Sequence, residues 1–276
     1  MRALICVNSK YGQLEDVRQY LISVLIKHGV EYVTSELDDE PNNANFDVLF
    51  IIGGDGTILR KTEFCSVNNI PIIGINGGKL GYLSEFECSE IDDAVELFLN
   101  NDLIEDVRLG LKITYNGREF FALNDVVVSR IYSDELSGRI IDVSYYIDQT
   151  KIDRVTGDGI IVSTPTGSTA YSLSAGGSIL APGISAFSVT PIAAHSLSQR
   201  SVIFSADSKC VLRLENENVA GLFIDGKKIE NVKSGEYIVI EKSEKSATFL
   251  RRRTSNFYKK LSVKLLNRDK SKYEQE

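Results

Sequence analysis

The pattern of hydrophobic and polar positions changes its period once along this chain, near residue 107. Before that point, short apolar runs alternate with stretches whose apolar residues recur every three or four positions. Leu4 to Val7 predicts a first strand, and Leu14, Val17, Leu21, Val24 and Leu25 share one face of a helix that Gly29 stops. Glu31 to Ser35, Val48 to Ile52 and Ile70 to Ile75 predict further strands, with helices after Gly53 and over Ile91 to Asn100. Strands alternating with helices form a parallel sheet covered on both faces, and such sheets bind ligands at the carboxyl ends of their strands. Beyond residue 107 the period falls to two. Lys112 to Tyr115 and Arg118 to Phe121 flank Asn116-Gly117, the signature of a hairpin with a primed turn. β-rich segments recur at Val126 to Ile131, Ile140 to Ile147, Ile160 to Ser163, Val202 to Phe204, Val211 to Leu214, Leu222 to Ile224 and Tyr237 to Ile240, so this part predicts mostly antiparallel sheet. The expected organisation is an α/β domain over 1–106, a β-rich domain over 107–250 and a tail over 251–276.

Candidate chemistry collects where this pattern ends its strands. Gly53-Gly54-Asp55-Gly56-Thr57 follows the apolar run Val48 to Ile52, and Ile58-Leu59-Arg60-Lys61 opens a helix. Glycines leave successive backbone N–H groups bare, and a helix start adds partial positive charge, so the loop suits a phosphate. Asp55 does not fit a pure phosphate cradle, because a carboxylate repels phosphate unless it accepts a proton or a metal ion or hydroxyl lies between. It is therefore a candidate base, the alternative being a cap on the following helix. Arg60, one turn into that helix, either reaches the same anion or is a surface residue. Asn76-Gly77-Gly78-Lys79-Leu80-Gly81 falls at another strand end and is expected to line the same crevice. In the second half, Asn124 and Asp125 follow the hydrophobic Phe120 to Leu123, where a polar pair is solvated in a turn or holds something specific. Thr164 to Gly177 is dense in hydroxyls and small residues, which lets backbone approach a flat ligand closely.

Composition narrows the class. At 43% hydrophobic and 25% charged the chain reads as an ordinary soluble globular protein. No apolar run approaches a membrane span, and Cys6-Val7 leads into polar Asn8-Ser9-Lys10 too soon for a signal peptide, so a cytoplasmic location and no membrane partner are expected. Four scattered cysteines and two histidines argue against structural zinc and fit a reducing compartment. The net charge is −7, yet residues 251–276 carry +6 and leave −13 on the remainder. That tail reads as a solvated helical end or an aid to anionic ligands rather than a nucleic-acid surface, since no recognition motif accompanies it.

Taken together, the Gly53 loop with Arg60, Leu123-Asn124-Asp125, Gly157-Asp158-Gly159 and Thr164 to Gly177 resemble, in order and spacing, the ATP-dependent NAD kinase family of bacterial type, from the first strand to about Arg253. The Gly-Gly-Asp-Gly loop alone also occurs in diacylglycerol, sphingosine and 6-phosphofructo kinases; the second glycine-rich stretch discriminates. The resemblance implies transfer of the γ-phosphoryl group of ATP to the 2′-hydroxyl of the adenosine ribose of NAD, with Mg²⁺. It implies an N-terminal α/β domain of the diacylglycerol-kinase and phosphofructokinase kind, a C-terminal β domain, a tail returning to the first domain, and homodimers or homotetramers. By the same resemblance Asp55 is the proton acceptor, and Gly54, Gly56, Thr57 and Arg60 meet phosphate. Asn124 and Asp125 bind NAD, and Asp158, Thr169, Ala170, Tyr171, Ser172 and Ser174 line the dinucleotide, with Tyr171 beside a ring or packed in the core. Arg139 aligns less closely with a basic residue near the nucleotide. Asp125 stands where glutamate is common, Thr156-Gly157 where Arg or Ala precedes the Asp-Gly pair, and Lys227 where glutamine is common. His195 is read as structural. A lipid kinase and a non-catalytic nucleotide sensor are the competing readings.

Overall fold

The computed structural model describes residues 1–8, 14–41, 45–78, 81–131, 139–196 and 198–273, the side chains of 266–273 excepted. Ser9, Lys10, Lys79, Leu80, Leu197 and the end of the basic tail lie outside the described residues. The chain divides into two compact units, Met1–Val107 with Ala247–Glu276, and Arg108–Ser246.

The first unit begins β1 (Arg2–Val7), α1 (Leu14–Lys27), β2 (Glu31–Glu36), β3 (Val48–Gly53), α2 (Asp55–Asn68), β4 (Ile72–Asn76), β5 (Phe86–Glu87) and α3 (Ile91–Leu99). Its strands pair in parallel in the order β2-β1-β3-β4-β5. β3 and β4 are buried at every position, as near-continuous apolar strands covered on both faces must be. Leu21, Val24 and Leu25 of α1 and Ile91, Ala94 and Val95 of α3 pack with Phe50, Ile52 and Ile75 in one core. Gly74 of β4 lets α2 come close, since a Cβ there would lie 2.8 Å from Ile58 Cδ1. The order of pairing reverses beside β1: β2 lies on one side and β3 on the other. Such a switch point opens a crevice at the carboxyl ends of the two central strands.

The second unit is made of β6 (Leu103–Tyr115) from Arg108 onward, β7 (Arg118–Ala122), β8 (Asp125–Arg130), β9 (Ile141–Ile147), β10 (Thr150–Gly157), β11 (Gly159–Ser163), the short helix α4 (Tyr171–Ser174), β12 (Ala186–Ile192), β13 (Val202–Ser205), β14 (Cys210–Leu214), β15 (Ala220–Ile224), β16 (Lys227–Val232) and the first part of β17 (Tyr237–Arg252). One sheet runs β13-β12-β11-β8-β15-β16, antiparallel throughout. Facing it, β10-β9-β14-β17 and the β6-β7 hairpin are also antiparallel. Val126, Val128, Ile160, Val162, Phe187 and Leu222 of the first sheet share a core with Leu111, Ile113, Val143, Tyr145, Leu212 and Ile238 of the second. The Asn116-Gly117 turn has positive φ at both residues, 49° and 73°, as a primed hairpin turn requires. β10, β12 and β16 were not legible as strands: β10 and β16 carry mostly polar, outward residues, and β12 mixes Ser, Thr and Pro with its apolar positions.

Chain from the first unit resumes at Ala247, where the end of β17 pairs in parallel with β4 through Phe249 and Ile72, and continues into α5 (Phe257–Tyr273). The tail, expected as a solvated helical end or an aid to anionic ligands and, by the resemblance, as a return to the first domain, begins with a buried arginine. Arg251 is 3% exposed; its Nε donates to Asp106 at 3.1 Å, and its Nη atoms donate to the carbonyls of Tyr82, Leu83 and Ser84 at 2.9–3.3 Å. Glu85, also buried, pairs with Arg251 at 3.4 Å and with Lys260 of α5 at 2.6 Å. Arg252 and Arg253 pair with Glu90, Asp93 and Asp102, which neutralises charge that would otherwise offer an open basic surface. Breaking a buried ion cluster by removing one partner leaves an uncompensated charge. Arg251→Met is therefore expected to destabilise the protein by about 3–5 kcal/mol, measured as a fall in the urea midpoint of the full chain.

Candidate functional site

In the first unit a cleft of about 710 Å³ opens at the switch point, lined by Asn8, Leu14, Leu37, Gly53, Gly54, Gly56, Thr57, Arg60, Gly77 and Gly78. The two glycine-rich loops thus share one crevice. Gly77 N lies 3.4 Å from Gly53 O, and a Cβ on Gly77 would fall 3.5 Å from Gly53 Cα and 2.9 Å from Leu14 Cδ2. Asn76 at the end of β4 clamps its turn, accepting from Gly78 N and donating to Gly78 O and to Glu87. A Cβ on Gly53 would strike Thr57 at 2.7 Å, so glycine there permits the tight entry into α2. Gly54 is the cap of α2 without a side-chain bond, which turns the positive end of the helix toward the cleft with no protein oxygen from the cap residue in the way. Thr57 is buried, with Asn8 Nδ2 at 3.5 Å from its hydroxyl. Arg60 lines the cleft and pairs with exposed Asp38 at 2.9 Å. Asn8 and Leu37 were missed in the sequence; the rule that ligands meet the carboxyl ends of strands would have marked Asn8, directly after β1.

Asp55 is the first residue of α2, and its side chain does not cap that helix. Instead Oδ2 accepts from Tyr82 N at 2.8 Å and Oδ1 from Leu83 N at 2.9 Å. Gly81 lies flat against the carboxylate: a Cβ there would sit 2.0 Å from Oδ1. Lys264 of α5 brings its ammonium to 3.6 Å from Oδ2. The 82–84 carbonyls on the other side of this segment are those that Arg251 holds, so the loop gripping Asp55 is itself gripped by the buried cluster.

In the second unit the polar pair before β8 is built around Asp225. This aspartate sits in the turn between β15 and β16 at φ 47°, with Gly226 at 77°. Its carboxylate accepts from the amides of Leu123, Asn124 and Asp125 at 2.8–3.0 Å. Asn124 is left half-buried, while Asp125 is buried beside Asp225. The hydroxyl-rich loop after β11 is tied to the same place. Thr164 N donates to Asn124 O at 2.9 Å, and Gly167 packs against that carbonyl so closely that a Cβ would lie 2.0 Å from it.

The residues of this loop divide by direction. Thr169 donates to Thr166 O, and Ser172 bonds Thr190, which bonds Ser201, so these buried hydroxyls support the backbone. Arg108 donates to Thr166 at 3.2 Å from below the surface. Tyr171, 46% exposed, and Ser174 face outward, and Ala170 is half-buried; Tyr171 is not core packing. Asp158 pairs with Arg130 at 3.0 Å. Arg139, His195 and Lys227 are exposed. Cys6, Cys65 and Cys210 are buried thiols pushed above their ordinary range by desolvation, Cys6 to about 11 and Cys210 to about 12.

Burial, and then the Asp225 charge, raise the Asp125 carboxyl to about 7. An aspartate in the unfolded chain ionises near pH 4, so between those values the folded state holds the extra proton. The contribution of this one group to stability is then fully present below about pH 4 and is lost as pH rises toward 7, at up to roughly 1.4 kcal/mol per unit. Asp125→Asn, which cannot ionise, should show a higher urea midpoint than the unchanged protein at pH 8, with the gap closing toward pH 4.

Residues 5–103 match the ATP-NAD kinase N-terminal domain and residues 123–252 the ATP-NAD kinase C-terminal domain. The NAD kinase of Caldicellulosiruptor saccharolyticus is 36% identical over 253 residues, covering 91% of this chain and 94% of that one. The NAD kinase of Ruminiclostridium cellulolyticum is 37% identical over 268 residues, covering 90% and 92%. Among solved structures, an Archaeoglobus fulgidus NAD kinase in complex with ATP superposes with a TM-score of 0.73 at 27% identity, over 92% of this chain and 94% of that one. Yeast NADH kinase complexed with NADH shares the fold, with a TM-score of 0.81 at 24% identity over 95% of this chain and 86% of that one. With an α/β domain of parallel strands, a mostly antiparallel β domain, and relatives matched along nearly their whole length, the chain belongs to the ATP-NAD kinase family.

Proposed function

We infer that the protein is an ATP-dependent NAD kinase in which Asp55 takes the proton of the acceptor hydroxyl. The enzyme moves the γ-phosphoryl group of ATP to the 2′-hydroxyl of the adenosine ribose of NAD, giving NADP and ADP. The observation that carries the reading is the Asp55 carboxylate fixed by two backbone amides beside a glycine-lined cleft at a helix start. As the ribose oxygen bonds to the γ-phosphorus, the bond from that phosphorus to the bridging oxygen of ADP breaks, and the hydroxyl proton passes to Asp55. Each carboxylate oxygen has two lone pairs, so the amides of Tyr82 and Leu83 aim the group and still leave acceptor capacity for that proton. Phosphoryl transfer is catalysed chiefly by alignment and charge neutralisation, with the base as a further factor. Gly54, Gly56 and Thr57 supply donors to phosphate, and Arg60 supplies positive charge.

In the second unit, Asn124 and Asp125 are assigned to the bound NAD, and Ala170, Tyr171 and Ser174 to its rings and ribose, with Asp158 and Arg139 nearby. Thr169 and Ser172 serve the dinucleotide through the loop backbone that their hydroxyls brace. Magnesium belongs to this proposal as a companion of the triphosphate: among the described residues no three His, Cys, Asp or Glu side chains converge, and Mg²⁺ is commonly held by phosphates with one or two carboxylates. Homodimers or homotetramers, a cytoplasmic location and a kinship of the first domain with diacylglycerol and 6-phosphofructo kinases are proposed on the family likeness. Among the described residues no helix is long and apolar enough to cross a membrane.

Incubation with ATP, Mg²⁺ and NAD, followed by an NADP-specific dehydrogenase, tests the activity. Asp55→Asn should retain NAD binding and lose roughly 10²–10⁴-fold in kcat; retention of more than about a tenth of kcat at saturating substrates would remove Asp55 from the role of base. Asn124→Ala should raise KM for NAD by roughly 5- to 100-fold while moving KM for ATP little, since losing one hydrogen bond leaves its partner unpaired on a single ligand. Equal rises in both values would place Asn124 elsewhere.

A further inference from the structure

We propose that Lys264, on α5, is a positioning residue for phosphoryl transfer: it braces the Asp55 carboxylate and offsets its repulsion of the incoming triphosphate. The proposal rests on Asp55 being the base. A base of this kind raises a physical difficulty, because a carboxylate at the wall of a phosphate cleft meets a ligand of its own sign. A cation lies at that carboxylate. Lys264 Nζ is 3.6 Å from Asp55 Oδ2 and 3.7 Å from the centroid of the Tyr82 ring, and Tyr82 N donates to the same oxygen. The ammonium is thus held between an aromatic face and the carboxylate it neutralises, with its side chain 22% exposed. Partial burial weakens screening by solvent, so the charge acts more strongly than a surface lysine would.

The rest of α5 is arranged to keep it there. Lys260 lies four residues earlier on the same helical face and donates to Ser84 O at 2.9 Å and to Glu85 at 2.6 Å. Phe257, at the start of the helix, packs on the Tyr82 ring with centroids 6.4 Å apart. Three successive turns of α5 therefore meet the 82–85 segment, and the third reaches past it to Asp55. The two lysines divide the work: Lys260 secures the loop, and Lys264 addresses the carboxylate that the loop presents. Arg60, the cation expected from sequence to serve the cleft, is paired with Asp38 and half-exposed, so it does not fill this place.

The experiment uses the full chain and compares Lys264→Met, Lys264→Arg and Asp55→Asn, alone and with Asp55→Asn combined with Lys264→Met. Lys264→Met keeps the apolar stem over Tyr82 and removes the charge. It should lower kcat by roughly 10- to 100-fold, with KM for NAD within about twofold and the thermal midpoint close to the unchanged protein. Lys264→Arg should recover most of the loss, and adding Lys264→Met to Asp55→Asn should cost little more, because the lysine acts through the carboxylate. If Lys264→Met turns over within about twofold of the unchanged protein while Asp55→Asn is inactive, the lysine proposal fails and the base stands. A loss that follows the thermal midpoint and is not recovered by arginine makes Lys264 merely structural and likewise overturns it. Should Asp55→Asn remain active, the reading of the base fails, and the proposal falls with it.

Discussion

The two hydrogen bonds that Asp55 accepts from the Tyr82 and Leu83 amides are the constraint on which the first unit's cleft depends. A carboxylate at the start of a helix would ordinarily turn back to bond the helix's own amides. Here it is drawn sideways to a neighbouring segment, which leaves the start of α2 to face the cleft. That segment has backbone groups on two sides. Its amides go to Asp55, and its carbonyls go to Arg251, whose buried guanidinium also pairs with Glu85 and Asp106. The placement of the proposed base is thereby linked to a buried ion cluster formed by the returning end of the chain. A buried ion pair adds little to net stability over an apolar replacement, but loss of one partner leaves an uncompensated charge, so the groups of this cluster are held together, and the proposed phosphoryl transfer demands fixed position.

A parallel logic governs the second unit. Asp225 satisfies three consecutive amides at the entrance to β8 and so decides where Asn124 and Asp125 stand. The hydroxyls of Thr164, Thr169, Ser172 and Thr190 are committed to the protein, and they hold a loop whose backbone approaches its neighbours at distances only glycine tolerates, as at Gly167. A sequence rich in serine and threonine therefore contains two populations. Some hydroxyls build the surface, and others, with Tyr171, occupy it.

Much of this was legible in the chain. The two glycine-rich phrases, the change from helical to alternating period, the central strands of the first unit and the Asn116-Gly117 hairpin all follow from local rules, because backbone freedom and side-chain alternation act over a few residues. The position of Asp55 at a strand-to-helix turn follows in the same way. The polar strands β10 and β16 did not show, since residues on an outward face carry no apolar alternation.

What the sequence by itself determined was the kind of chemistry: a glycine-rich loop with a carboxylate, a polar pair after an apolar run, and a hydroxyl-rich loop, in an order that resembles the NAD kinases. What only the tertiary structure decided was the set of partners. Nothing local says that Arg251 is buried, that Asp55 is held by amides 27 and 28 residues away, that Asp225 organises residues a hundred positions earlier, or that Lys264 of a charged tail meets Asp55. These contacts depend on strand order and on the return of the chain to the first unit, where long-range pairing and burial set the energies. Local propensity cannot encode which distant charge will stand beside which.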